Sequence, residues 1–134
     1  MDATGLVRRY YDALDAHDYD DLETVLAPAF TQHRPDRTFE DRAAFIEFMR
    51  EERPNPETTH ELELLLAGDE AHERESDSDS DSNSNLNSSA DELTVTVAAR
   101  GRVCDESGEL FEFADFFTVD RETERLMRLE TYSR

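Results

Sequence analysis

No lysine occurs anywhere in this chain; all 14 basic residues are arginine, set against 34 acidic residues, for a formal net charge of -20. A surface so negative repels phosphates and anionic lipid headgroups, so neither nucleic acid nor a membrane is an expected partner. In dilute buffer it also repels itself. At molar salt the screening length falls to about 3 Å and that repulsion largely disappears. The acidity runs through the whole chain, with eight acids and one arginine between residues 69 and 91 and an excess of acids elsewhere too. Carboxylate excess without lysine therefore reads as adaptation to the salty cytoplasm of a halophile. A single cysteine, Cys104, excludes an intrachain disulfide and a cysteine-based zinc site. No run of 18 apolar residues and no apolar leader is present, so the expected location is cytoplasmic. Histidines at H-x-x-x-H spacing, glycine-rich phosphate loops and a G-x-S-x-G elbow are also missing, so no metal or cofactor is expected.

What is present reads as one α+β domain of 134 residues. Leu6, Val7, Tyr10, Tyr11 and Leu14 recur at helical spacing, which predicts an amphipathic helix over 3–17, with His17 near its end. Asp18 caps a second helix that Pro28 ends, and a short strand follows from Ala29 to Arg34. Thr38 is the expected cap of a third helix carrying Phe45, Ile46, Phe48 and Met49, which Pro54 and Pro56 end. Beyond it the period changes to two. Leu62, Leu64 and Leu66 alternate with Glu61, Glu63 and Leu65; Leu93, Val95, Val97 and Ala99 alternate with Thr94, Thr96, Ala98 and Arg100. Turns at 105–108 and 120–124 then separate two further strands, the last from Arg125 to about Tyr132. The late strands read as an antiparallel meander with the helices on one face.

Residues 73–90 interrupt this pattern with a Ser/Asp/Asn tract that has too little apolar surface to order itself, so a flexible loop is expected there. Asp81, Asn83, Asn85 and Glu92 match the ligand spacing of a calcium loop, but Leu86 stands where that loop needs glycine. No flanking helix pair accompanies it, and a repetitive tract generates such spacing by chance.

The run Arg9-Tyr10-Tyr11-Asp12-Ala13-Leu14-Asp15-Ala16-His17-Asp18-Tyr19-Asp20-Asp21-Leu22 resembles the opening of the NTF2-like superfamily, above all its SnoaL-like polyketide cyclase branch and the ketosteroid isomerases. Leu26 to Pro35 is similar to that family's first strand, Phe39 to Arg53 to its third helix, and Phe113 to Asp120 with Leu129 to Tyr132 to its closing hairpin. The resemblance implies a cone: three N-terminal helices on a strongly curved, mostly antiparallel sheet around an apolar interior, often paired as a homodimer through sheet faces. It implies a small-molecule-binding protein, with cofactor-independent isomerase, cyclase or dehydratase chemistry near a carbonyl of an apolar substrate. Alternatives are a non-catalytic ligand-binding module and a protein-interaction module.

By the same resemblance, Tyr10 and Asp115 match the tyrosine and aspartate that hold the oxyanion in the isomerases. The residues support Asp115 on their own account, because it shares a strand face with Phe111, Phe113, Phe117 and Val119. A carboxyl there must be protonated or paired, with Arg100 or Arg128 as available partners. Where the isomerases carry their basic aspartate this chain has Arg34, so His33 is the expected proton acceptor. Tyr10, Asp115 and His33 are thus the candidate catalytic residues, and Arg34, Phe113, Phe117 and Tyr132 the candidate ligand contacts. His60 starts a strand near the expected mouth of the cone, and His72 borders the Ser/Asp tract.

Overall fold

The computed structural model describes residues 2–52, 57–68 and 94–133. The Ser/Asp tract at 73–90, with its calcium-loop spacing, lies outside the described residues, as do His72, Leu93, Pro54 and Pro56. Helix α1 spans Ala3–Asp15 and starts at Asp2, whose side chain accepts the Gly5 N–H at 2.8 Å. It stops two residues before the expected end. His17 takes a left-handed φ of 58°, its N–H reaches the Leu14 carbonyl, and the Asp18 N–H reaches the Ala13 carbonyl. That is a Schellman stop, which satisfies two carbonyls the helix would leave bare. Asp18 then caps α2 (Tyr19–Val25) through the Asp21 N–H, as expected. The Arg9 guanidinium clamps both oxygens of Asp21 and holds that carboxyl below the usual range, tying α1 to α2.

Strand β1 (Leu26–His33) begins directly after α2, earlier than expected. Pro28 falls within it, between the pairs Leu26↔Leu126 and Thr31↔Arg128, where the register shifts and no ladder N–H is required of it. Thr38 does not cap α3. Thr38 and Phe39 form β2, paired with His33 and Gln32, and Asp41 caps α3 (Arg42–Glu51) by accepting the Ala44 N–H at 2.8 Å. The remaining strands are β3 (Thr59–Ala67), β4 (Thr94–Asp105), β5 (Gly108–Asp120) and β6 (Arg125–Ser133). Among the described residues they form one sheet of order β2-β1-β6-β5-β4-β3, parallel only between β1 and β6.

Alternation along β4–β6 decides what enters the interior. Val95, Val97, Ala99 and Val103 of β4, Phe113, Asp115, Phe117 and Val119 of β5, and Leu126 and Leu129 of β6 are buried. The helices close over this face, and Tyr10 packs against Phe45 and Phe117. In β3 the expected alternation breaks. A bulge between Leu62 and Leu64 shifts the register, so that Leu65 and Ala67 pack on the core while Leu64 and Leu66 are 40% and 53% exposed. Gly101 sits opposite this bulge, where the β3 backbone comes so close that a Cβ would lie 2.0 Å from the Glu61 carbonyl oxygen.

Candidate functional site

Asp115 stands in the middle of β5, between Ala99 of β4 and Thr131 of β6. Its rung is the polar level of an otherwise apolar face: one rung along lie Val97, Phe117 and Leu129. Asp115 is only 5% exposed. The phenol that reaches it is Tyr11's, which donates to Oδ2 at 2.5 Å. Burial pushes the Asp115 carboxyl upward, against the pull of Tyr11, Thr131, His60 and Arg34 toward ionisation. Burial beside that carboxyl likewise pushes the Tyr11 phenol up, so it keeps its proton at any working pH.

Thr131 lies close enough to favour ionised Asp115, yet it makes no well-formed hydrogen bond to Oδ1, which has no partner among the described residues. The Thr131 hydroxyl instead accepts from Gln32 Nε2 at 2.8 Å, and buried Gln32 Oε1 also lacks a partner there. Two orphaned oxygens on one inner face are unusual, because burying an unpaired polar atom costs about 1–3 kcal/mol.

Neither arginine proposed as a partner reaches Asp115. Arg100 pairs with Glu63 at 3.9 Å and Arg128 with Glu130 at 2.8 Å, both on the outer face of the sheet. Of the candidate residues, the structure brings Asp115, Phe113 and Phe117 together, with Tyr11 in contact with all three. Tyr10 sits one residue back on α1, edge-on to Tyr11 and Phe117 and stacked on Phe45. Arg34 follows β1, half-buried, 3.6 Å from Asp36, and its charge still acts on Asp115. His33 comes after buried Gln32, so alternation sends it to the other face. Tyr132 follows Thr131 and for the same reason lies outside, 53% exposed against Phe116.

Sequence reading missed one contact altogether. Asp15, the last residue of α1, accepts the His60 backbone N–H at 2.9 Å and bonds the ring Nδ1 at 2.7 Å. The His60 ring lies 5.1 Å from Tyr11 and 5.4 Å from Phe113. Forty-five positions separate the two residues, and nothing in the sequence marks the pairing. Tyr11 had a signal: it shares the buried face with Val7 and Leu14 at helical spacing.

The Tyr11 ring, which holds Asp115, packs against Phe113 and Phe117. Of two depressions, one of about 460 Å³ lies over the Arg100–Ala114–Tyr132 rung of the outer face, and one of about 390 Å³ lies between the start of α1 and the turn after β5. Asp115 lines neither. Cys104 is half-buried in β4, its thiol pushed up by desolvation and by Glu61, which suits no nucleophile. No cluster of metal-ligating side chains occurs among the described residues.

The fold is similar to several solved structures. An NTF2-like protein with a cystatin-like fold from Novosphingobium aromaticivorans superposes with a TM-score of 0.70 at 18% identity, over 96% of this chain and 77% of that one. A ketosteroid isomerase candidate from Kribbella flavida gives 0.61 at 14% identity, over 98% and 77%. The orange carotenoid protein of Anabaena, in a form binding canthaxanthin, gives 0.66 at 17% identity, over 96% of this chain but 35% of that one. A search of curated proteins finds no match. The match that covers most of the chain and carries a family assignment is to residues 7–126, which show that this chain belongs to the SnoaL-like domain family.

Proposed function

We propose that this chain binds a small, mostly apolar molecule inside the cone, with a carbonyl or phenolic oxygen against the Asp115 carboxyl that Tyr11 holds in place. There it performs cofactor-independent acid–base chemistry next to that oxygen: an isomerisation, cyclisation or dehydration. The supporting observation is the unpartnered Oδ1 of a carboxyl that burial pushes toward its protonated form. A neutral carboxylic acid whose Oδ2 accepts from the Tyr11 phenol can donate its own proton from Oδ1 to negative charge that develops on a bound oxygen. The carotenoid and isomerase neighbours support an apolar, oxygen-bearing ligand for this fold.

The direct test is a thermal-shift screen in about 2 M KCl, where surface repulsion is screened. Phenols, flat polyketide-like aromatics and steroid-like ketones are tried on wild type, Tyr11→Phe, Asp115→Asn and, as a control in the same helix, Tyr10→Phe. Stabilisation that survives Tyr10→Phe but not the other two supports the reading. No shift with any ligand, or equal shifts in all variants, overturns it.

A second reading, an interaction module, is favoured by the outer sheet face. Leu64, Leu66, Phe116 and Tyr132 stand exposed there, and Tyr132 lines the 460 Å³ depression. The occupant we infer is a second copy of the chain, giving a homodimer in a salt-rich cytoplasm. Sedimentation in 2 M KCl tests it, with Phe116→Glu expected to give monomers and an unchanged wild-type monomer ruling it out.

A further inference from the structure

The Asp15–His60 contact joins the end of α1 to the start of β3 and faces the ring cluster around Asp115. β3 is an edge strand, so a backbone N–H turned away from β4 has no strand to pair with, and Asp15 supplies the acceptor. The same carboxylate takes the ring. A carboxylate only accepts, so Nδ1 carries the proton and donates it, which leaves Nε2 as the lone-pair nitrogen. The imidazole is wedged between Tyr11 and Phe113, with 14% of its side chain exposed. Tyr11 is therefore shared: its ring touches His60 and its hydroxyl holds Asp115. Tyr11 thus links the imidazole, which pairs on the Val103 rung, to the buried acid further along the same inner face, while His33 lies on the opposite face.

We propose that His60, oriented by Asp15, is the proton-transfer residue of this site. The assignment rests on the oxygen-binding reading above and deepens it. The substrate class is an apolar ketone, or a similar carbonyl compound, with a C–H bond next to the carbonyl. That C–H bond breaks, its electron pair moves into the enolate whose oxygen accepts from the Asp115 carboxyl that Tyr11 holds, and the proton moves to Nε2. Asp15 stabilises the resulting imidazolium. The proton then returns to another carbon, or leaves with a departing hydroxyl as water, and neutral His60 is restored. No electrons are gained or lost overall, so no co-reactant is needed. Asp15 is a positioning residue in this scheme.

The test uses the full ¹⁵N-labelled chain in about 2 M KCl, read by ring-nitrogen NMR, with 2-tetralone in D₂O as the probe ketone. Wild-type His60 is expected in the Nδ1–H form and to speed exchange of the ketone's α-protons. In Asp15→Asn the amide oxygen is needed by the backbone N–H, so its NH₂ faces Nδ1 and turns the ring to the Nε2–H form. Exchange should fall about 100-fold in that variant and in His60→Gln, the usual scale of a lost general base. Melting curves of both variants report whether they fold, and the wild-type tautomer needs no variant at all. A wild-type Nε2–H form overturns the proposal. So does exchange that survives in folded His60→Gln but is lost in Tyr11→Phe and Asp115→Asn, a result that leaves the oxygen site standing. Absence of exchange in wild type, with no His60 or Tyr11 resonance moved by the ketone, removes both readings.

Discussion

The two faces of β4, β5 and β6 are built from alternate residues of the same strands, yet they solve opposite problems. The outer face carries an arginine–glutamate lattice: Arg102 reaches Glu61 and Glu109, Arg100 reaches Glu63, and Arg128 reaches Glu130. These pairs are exposed, so water screens them and each contributes little. The inner face carries one carboxyl among rings, and there every polar atom must find a partner. Asp115 finds one for Oδ2 and none for Oδ1. A polar residue is therefore ordinary on one face and a functional signal on the other, one residue of strand apart.

Adjacent phenylalanines give the sharpest way to break this contrast. Phe117 is fully buried against Tyr10 and Tyr11, while Phe116 is 40% exposed. Phe117→Ala should cost about 3–5 kcal/mol in a urea titration at 2 M KCl, and Phe116→Ala well under half of that. Similar losses would mean that the outer face is itself buried, as in a dimer. Gly101→Ala comes next, at about 2–3 kcal/mol, because its new Cβ would strike the Glu61 carbonyl and push β3 off its bulge. Unchanged stability in that variant would show that β3 slides freely.

The third prediction concerns pH. Asp115 has a folded value raised above its ordinary 3.8, so its contribution is fully present below the unfolded range and is lost as pH rises through the folded value. Replacing it by asparagine keeps the shape without the charge. The stability of Asp115→Asn relative to wild type should therefore rise from pH 4 to pH 8. A flat difference would mean that Asp115 titrates as an exposed carboxyl. The smallest effect belongs to the outer face: Arg102→Ala should leave the melting temperature in 2 M KCl unchanged within error, since its partners are exposed and screened. A clear loss there would show that the lattice is buried in an assembly.

The helices and the late strands were legible because their signals are local. Asp18 and its N–H partner sit three residues apart, and the alternation of Phe113, Asp115, Phe117 and Val119 states which side is inward. Two local readings failed where tertiary contacts intervened. Thr38 has the side chain of a cap, but β1 recruits it into a strand. Leu64 and Leu66 have the spacing of a core face, but one extra residue in β3 turns them outward. The site was half legible. Asp115 announced itself as a charge in an apolar strand, whereas the choice between Tyr10 and Tyr11 turns on a rotation of one residue about the helix axis, which periodicity resolves poorly when both are buried.

The sequence alone determined the fold class, the inward position of Asp115 and a surface that repels polyanions, because each follows from period, composition or charge. Only the tertiary structure decided that Tyr11 holds Asp115, that Tyr132 and His33 leave the inner face, and that Asp15 holds His60. Those outcomes depend on a helix rotation, a strand register and a contact across 45 residues. Such features arise only when distant segments pack, and no local pattern encodes them.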